Sequence, residues 1–63
     1  NLLFFTETHL RDGIGIEYYL GQKLIVEIFR NDEKSKTEVT LFEKEVSLEI
    51  LEDAIKDYKK AII

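Results

Sequence analysis

A chain of 63 residues with 9 basic and 13 acidic side chains, a formal net charge of −4, and 44% hydrophobic and 35% charged content reads as one folded acidic domain rather than a disordered tail. It has no cysteine and one histidine, which excludes disulfides, thiolate zinc and a histidine-built structural metal site. No stretch approaches the ~20 apolar residues of a membrane helix, so no membrane partner is expected. Surplus carboxylates work against a phosphate backbone, whose affinity comes mostly from Lys and Arg. They favour a basic protein partner, and a domain this small without staples favours a second copy of itself, a homodimer. No cofactor is implied, and the cytoplasm is the expected compartment.

The run Leu2 to Leu10 is apolar, aromatic and threonine-rich, the composition of a strand. Leu2 to Phe5 lacks alternation, as in a strand buried on both faces. Arg11, Asp12 and Gly13 then supply a turn, the Asp-Gly pair offering a left-handed backbone position.

Ile14 to Leu20 alternates strictly, with Ile14, Ile16, Tyr18 and Leu20 on one side and Gly15, Glu17 and Tyr19 on the other. A two-residue hairpin at Gly21 and Gln22 sets Ile16 against Glu27 and mixes the faces. A three-residue loop, Gly21 to Lys23, instead pairs Leu20 with Leu24, Tyr18 with Val26 and Ile16 with Ile28, and is the expected connection to a strand over Leu24 to Arg30. After a polar loop from Asn31 to Lys36, a strand over Thr37 to Phe42 brings Thr37 opposite Arg30, Val39 opposite Ile28 and Leu41 opposite Val26. One face of this sheet is then apolar throughout: Ile14, Ile16, Tyr18, Leu20, Leu24, Val26, Ile28, Val39 and Leu41.

The last segment predicts a helix. Ser47 is a good N-cap and Val46 before it can staple to Leu51. Glu49, Glu52 and Asp53 lie early and Lys56, Lys59 and Lys60 late, complementing the helix dipole. Leu48, Leu51, Ile55, Tyr58 and Ile62 recur at steps of three and four, widened by Ile50, Ala54 and Ala61. The expected fold is α+β: an antiparallel β-meander of three to four strands with one C-terminal amphipathic helix packed on one face.

The opposite face of the sheet carries the functional signal. The expected register makes three rows there: Tyr19 with Ile25 and Phe42, Glu17 with Glu27 and Thr40, and Gly15 with Phe29 and Glu38. Aromatic residues are enriched at the centres of interfaces. Glu17 opposite Glu27 is a like-charge pair that costs up to about 1 kcal/mol in a sheet, and a partner's Lys or Arg would relieve it. The candidate partner-binding set is therefore Glu17, Tyr19, Ile25, Glu27, Phe29, Glu38 and Phe42.

Catalysis is not expected, because general acid–base work by Glu17 and Glu27 needs a pocket and further polar groups that an open sheet face does not provide. His9 with Glu7 and Asp12 falls short of a metal-ligand set. Ser35 and Ser47 have only that one histidine to serve them, and Gly13-Ile14-Gly15 leads into a strand rather than the helix of a dinucleotide fingerprint.

The expected function is a non-catalytic acidic protein-binding module, either a homo-oligomer or a small regulator or inhibitor docking on a basic partner. In size and charge it is similar to toxin-neutralising immunity proteins. The alternative is a single-strand nucleic-acid binder, in which Tyr19, Phe29 and Phe42 stack bases and Lys23, Lys34 and Lys36 touch phosphates. Its order of strands then helix looks like that of the Whirly and PUR-repeat proteins. Glu17, Glu27 and Glu38 oppose that alternative at the very place where bases would stack.

Overall fold

The computed structural model describes residues 3–10 and 12–62. Four strands, β1 (Leu3–Leu10), β2 (Gly13–Leu20), β3 (Lys23–Asn31) and β4 (Lys36–Leu41), form an antiparallel meander in the order β1, β2, β3, β4, followed by helix α1 (Leu48–Ile62). The fold is the expected α+β arrangement. Leu2 and Arg11, part of the expected first strand and first turn, lie outside the described residues.

The pairings expected for β3 and β4 are those observed: Thr37 faces Arg30, Val39 faces Ile28 and Leu41 faces Val26. The ladder continues to Asn31 opposite Lys36, which shortens the expected loop to residues 32–35. Asn31 Oδ1 accepts the Lys34 N–H at 3.0 Å, and Ser35 takes a left-handed φ of 55°. A short polar side chain bonding back onto the loop supplies its turn chemistry.

The hairpin between β2 and β3 corrects the expected three-residue loop. Its turn is the two residues Gly21 and Gln22, with Leu20 opposite Lys23 and Tyr19 opposite Leu24; the register then slips by one, and Tyr18 meets Val26. Gly21 holds a φ of 63°, which glycine adopts at little cost. The slip is a β-bulge. It reconciles a tight turn with an apolar face, an option that counting loop residues alone does not contain. Its consequence falls on Ile25, which turns into the core with only 4% of its surface exposed. Leu24, expected in the core, pairs with Tyr19 instead.

Gly13 also differs from expectation. It opens β2 rather than closing the turn, and its φ is not in the left-handed region. What excludes a side chain there is the close approach of β3: a Cβ on Gly13 would collide with the Arg30 carbonyl oxygen.

The core consists of Ile16, Tyr18, Ile25, Val26 and Ile28 from β2 and β3, with Ala54 and Tyr58 from α1. Among the described residues no polar or charged side chain is buried. Ser47 caps α1 as expected, its Oγ accepting the Ile50 N–H at 3.2 Å and its carbonyl the Leu51 N–H at 3.1 Å. Val46 and Leu51 both pack against the core, placing the helix entry. Because α1 lies over β2 and β3, the helix-side residues of β4 escape cover. Val39 and Leu41, expected in the core, are 49% and 47% exposed, and Leu48 at the helix start is 62% exposed.

Candidate binding face

Pleating sends alternate side chains of every strand away from α1, so one side of the sheet is left without a covering layer. β1 contributes Phe4 to that side, with Thr6 opposite Glu17 and Thr8 opposite Gly15. Phe4 stacks on Tyr19 with ring centroids 5.1 Å apart and planes within 6°. Leu24, the register partner of Tyr19 across the bulge, continues this row. The row expected here, Tyr19 with Ile25 and Phe42, is therefore corrected to Phe4, Tyr19 and Leu24. Ile25 leaves the candidate set because its side chain is in the core, while its backbone carbonyl accepts the Phe42 N–H at 2.9 Å. Phe42 itself is 48% exposed.

The second row is as expected and longer: Thr6, Glu17, Glu27 and Thr40 lie side by side across the four strands. Tyr19 donates its hydroxyl to Glu17 Oε1 at 3.4 Å. Burial of the ring, and then the neighbouring Glu17 carboxylate, raise the Tyr19 phenol above its ordinary value. Glu27 forms no ion pair among the described residues. In the third row Phe29 spreads over Gly15 and reaches Gly13, and Glu38 beyond it is bound by Lys36 at 3.3 Å. Of the seven residues expected on this face, the structure brings together Glu17, Tyr19, Glu27, Phe29 and Glu38, and places Phe42 at the end of β4.

Phe4 and Leu24 are the residues that sequence reasoning missed. Phe4 was hidden because Leu3, Phe4 and Phe5 form an unbroken apolar run, and only pairing with β2 assigns Phe4 to the open side. Phe5 goes to the helix side, where it stacks on Tyr18 at 6.5 Å. A signal was present in the alternation of Phe4, Thr6 and Thr8 against Phe5, Glu7 and His9.

A cleft of about 210 Å³ opens elsewhere, on the helix side near the β2–β3 turn. Leu20, Ile25, Val46 and Ile50 line it, with Lys23 and Glu43 paired at 3.1 Å at its mouth. Glu17 and Glu27 lie on the other side of the sheet, so this cleft does not convert them into an acid–base pair. His9 Nε2 lies 3.2 Å from Glu7 Oε1, both on exposed β1. Among the described residues no group of three or more His, Cys, Asp or Glu side chains is placed to hold a metal ion. Among the described residues no helix is long and apolar enough to cross a membrane.

The lysines considered for phosphate contact are mostly engaged. Lys23 is held by Glu43 and Lys36 by Glu38. Comparison with protein-family models, with curated proteins and with solved structures finds no match. The functional reading therefore rests on the geometry of the open face.

Proposed function

We propose that this chain is a non-catalytic protein-binding module, a small acidic regulator or inhibitor whose open sheet face docks on a basic protein surface. The observation that carries the reading is Glu27, set directly opposite Glu17 and without a cation among the described residues, inside a field of Phe4, Tyr19, Leu24 and Phe29. A Lys or Arg from a partner would lie between two carboxylates that repel each other in the free protein. The surrounding aromatics would provide the desolvated rim in which such a pair gains strength. Face-to-face contact between two copies is disfavoured, because it would bring the Glu17, Glu27 and Glu38 carboxylates of both together. The cytoplasm remains the proposed compartment, on composition alone.

Single-stranded nucleic acid is the weaker reading, since two of the three candidate lysines already serve carboxylates. The test is affinity capture by the immobilised chain, comparing the wild type with Tyr19→Ala and Glu27→Lys. Both positions are partly buried, and circular dichroism checks that the variants keep the fold. A basic protein retained by the wild type and lost by both variants supports the reading. Retention by both variants, or capture of nucleic acid that vanishes at high salt, overturns it.

A further inference from the structure

The edge of the sheet at β4 is the least finished part of the fold. The segment after it, residues 42–47, turns back over the β2–β3 hairpin, where Glu43, Glu45 and Val46 line the cleft. The edge from Thr37 to Leu41 thus has no strand beside it among the described residues. Phe42 donates its N–H to Ile25 on β3. By the alternation of an antiparallel ladder, even-numbered residues of β4 face β3, and Thr37, Val39 and Leu41 turn their N–H and C=O groups outward. Val39 and Leu41 are also half exposed on the helix side, where the core stops short. The Tyr58 hydroxyl lies 3.5 Å from Thr37 Oγ1, so the Tyr58 flank of α1 is the one beside β4. Leu51 and Ile55, on that same flank by helical spacing, border the uncovered strip.

We infer that this edge pairs with the same edge of a second copy, β4 to β4 about a two-fold axis through Val39, making one eight-stranded sheet. The register follows from charge and hydrogen bonding. Centred on Val39, the pairing sets Val39 against Val39 and Thr37 against Leu41 on the helix side, and Glu38 against Thr40 on the other. Every outward N–H then meets an outward C=O, and no like charges oppose. Centring on Glu38 would place two Glu38 carboxylates face to face. Centring on Thr40 would set Thr37 against Glu43, beyond the end of the strand.

The other edge is less suited to itself about its middle residues. On β1, pairing about Thr6 opposes Phe5 to Glu7 and Phe4 to Thr8, and pairing about Glu7 opposes that carboxylate to its own copy. A second copy suits β4 because the register is self-complementary: Val39 stands beside Val39 and Thr37 beside Leu41, so the apolar side chains at the seam pair laterally across the two strands. An isologous contact closes on itself and does not propagate into fibres. The seam is short, at the low end of interface sizes (below about 1,200 Å² in total), so the dimer dissociates on dilution. It leaves Phe4, Tyr19, Phe29, Glu17 and Glu27 uncovered, and so stands or falls independently of the proposed function.

The test is solution mass by light scattering across a concentration series for the wild type, Val39→Lys and Val39→Glu. The wild type is expected to rise from 7.4 kDa toward twice that mass. Each variant alone is expected to stay monomeric, since two like charges would meet on the axis, and an equimolar mixture of the two is expected to regain the dimer. A wild-type chain that remains monomeric to about millimolar concentration overturns the inference. So does a dimer that survives both substitutions, or a mixture that stays monomeric. If either variant unfolds, amide hydrogen exchange of the wild type decides. Protection of the Thr37, Val39 and Leu41 amides that grows with concentration, while that of Glu38 and Thr40 stays constant, supports the seam, and concentration-independent protection overturns it.

Discussion

Phe29 on β3 lies across Gly15 on β2, so that a Cβ at position 15 would stand 3.0 Å from Phe29 Cδ1 and would also collide with the Ile28 carbonyl oxygen. Glycine here is needed for space rather than for backbone freedom. The open face is flattened as a result: one aromatic ring does the covering for two residues of its neighbour strand.

Gly15→Ala should therefore destabilise the domain by roughly 1 to 3 kcal/mol, because the collision is with backbone that cannot rotate away. A chain of this size has only a few kcal/mol to lose. Urea unfolding followed by circular dichroism should show a much lower midpoint for the variant. A midpoint within error of the wild type would mean that β3 yields to admit the added methyl group.

The bulge gives a second prediction, and its sign separates two hairpins. Ile25→Ala removes a side chain that is 4% exposed and packs against the helix side of the sheet, and should cost about 2 to 5 kcal/mol. Leu24→Ala, on the half-buried outer row, should cost about 1 kcal/mol. The three-residue loop expected from the sequence predicts the reverse order. Paired denaturation curves settle it.

The contrast between these two leucine-like neighbours shows where the sequence is legible and where it is not. Strict alternation from Ile14 to Leu20, and the apolar matches of Tyr18 with Val26, Ile28 with Val39 and Val26 with Leu41, fix the register far from the turns, because a slip would put charges in the core. Ser47 and the stripe through Leu51, Ile55 and Tyr58 mark the helix, since capping and periodicity are local signals. The bulge at Ile25 is not local. Leu24 and Ile25 are adjacent and equally apolar, so no pattern of polarity says which of them faces inward. Phe4 is obscured by the same ambiguity between Leu3, Phe4 and Phe5. The exposed strip at Val39 and Leu41 depends on where α1 lies over the sheet, which its own stripe does not specify.

Tyr18 links the stability of the fold to alkaline pH. Burial first, then the Asp57 and Asp53 carboxylates of α1, push its phenol from 10.0 up to about 12. The folded chain thus keeps a proton that the unfolded chain releases above pH 10. The stability linked to it is complete below pH 10 and is lost as pH rises through about 12. Tyr18→Phe keeps the ring against Phe5 and should flatten the stability profile between pH 10 and 12, measured by urea midpoints at each pH. An unchanged slope would assign the alkaline loss to other groups.

Glu27 is the residue at which stability and binding should part. Replacing it with Gln keeps its size and its place between Glu17 and Thr40 and removes the like-charge opposition across β2 and β3. The urea midpoint should rise, by a few tenths of a kcal/mol to about 1 kcal/mol in stability. Capture of a basic partner should fall at the same time, since the charge that costs the free domain is the one a Lys or Arg would neutralise. Glu38→Gln makes the comparison strict: Glu38 already has Lys36 at 3.3 Å, so its loss should not raise stability. If Glu27→Gln leaves both midpoint and capture unchanged, the opposed carboxylates are a solvated surface pair, and the open face must recognise its partner through the rings of Phe4, Tyr19 and Phe29 alone.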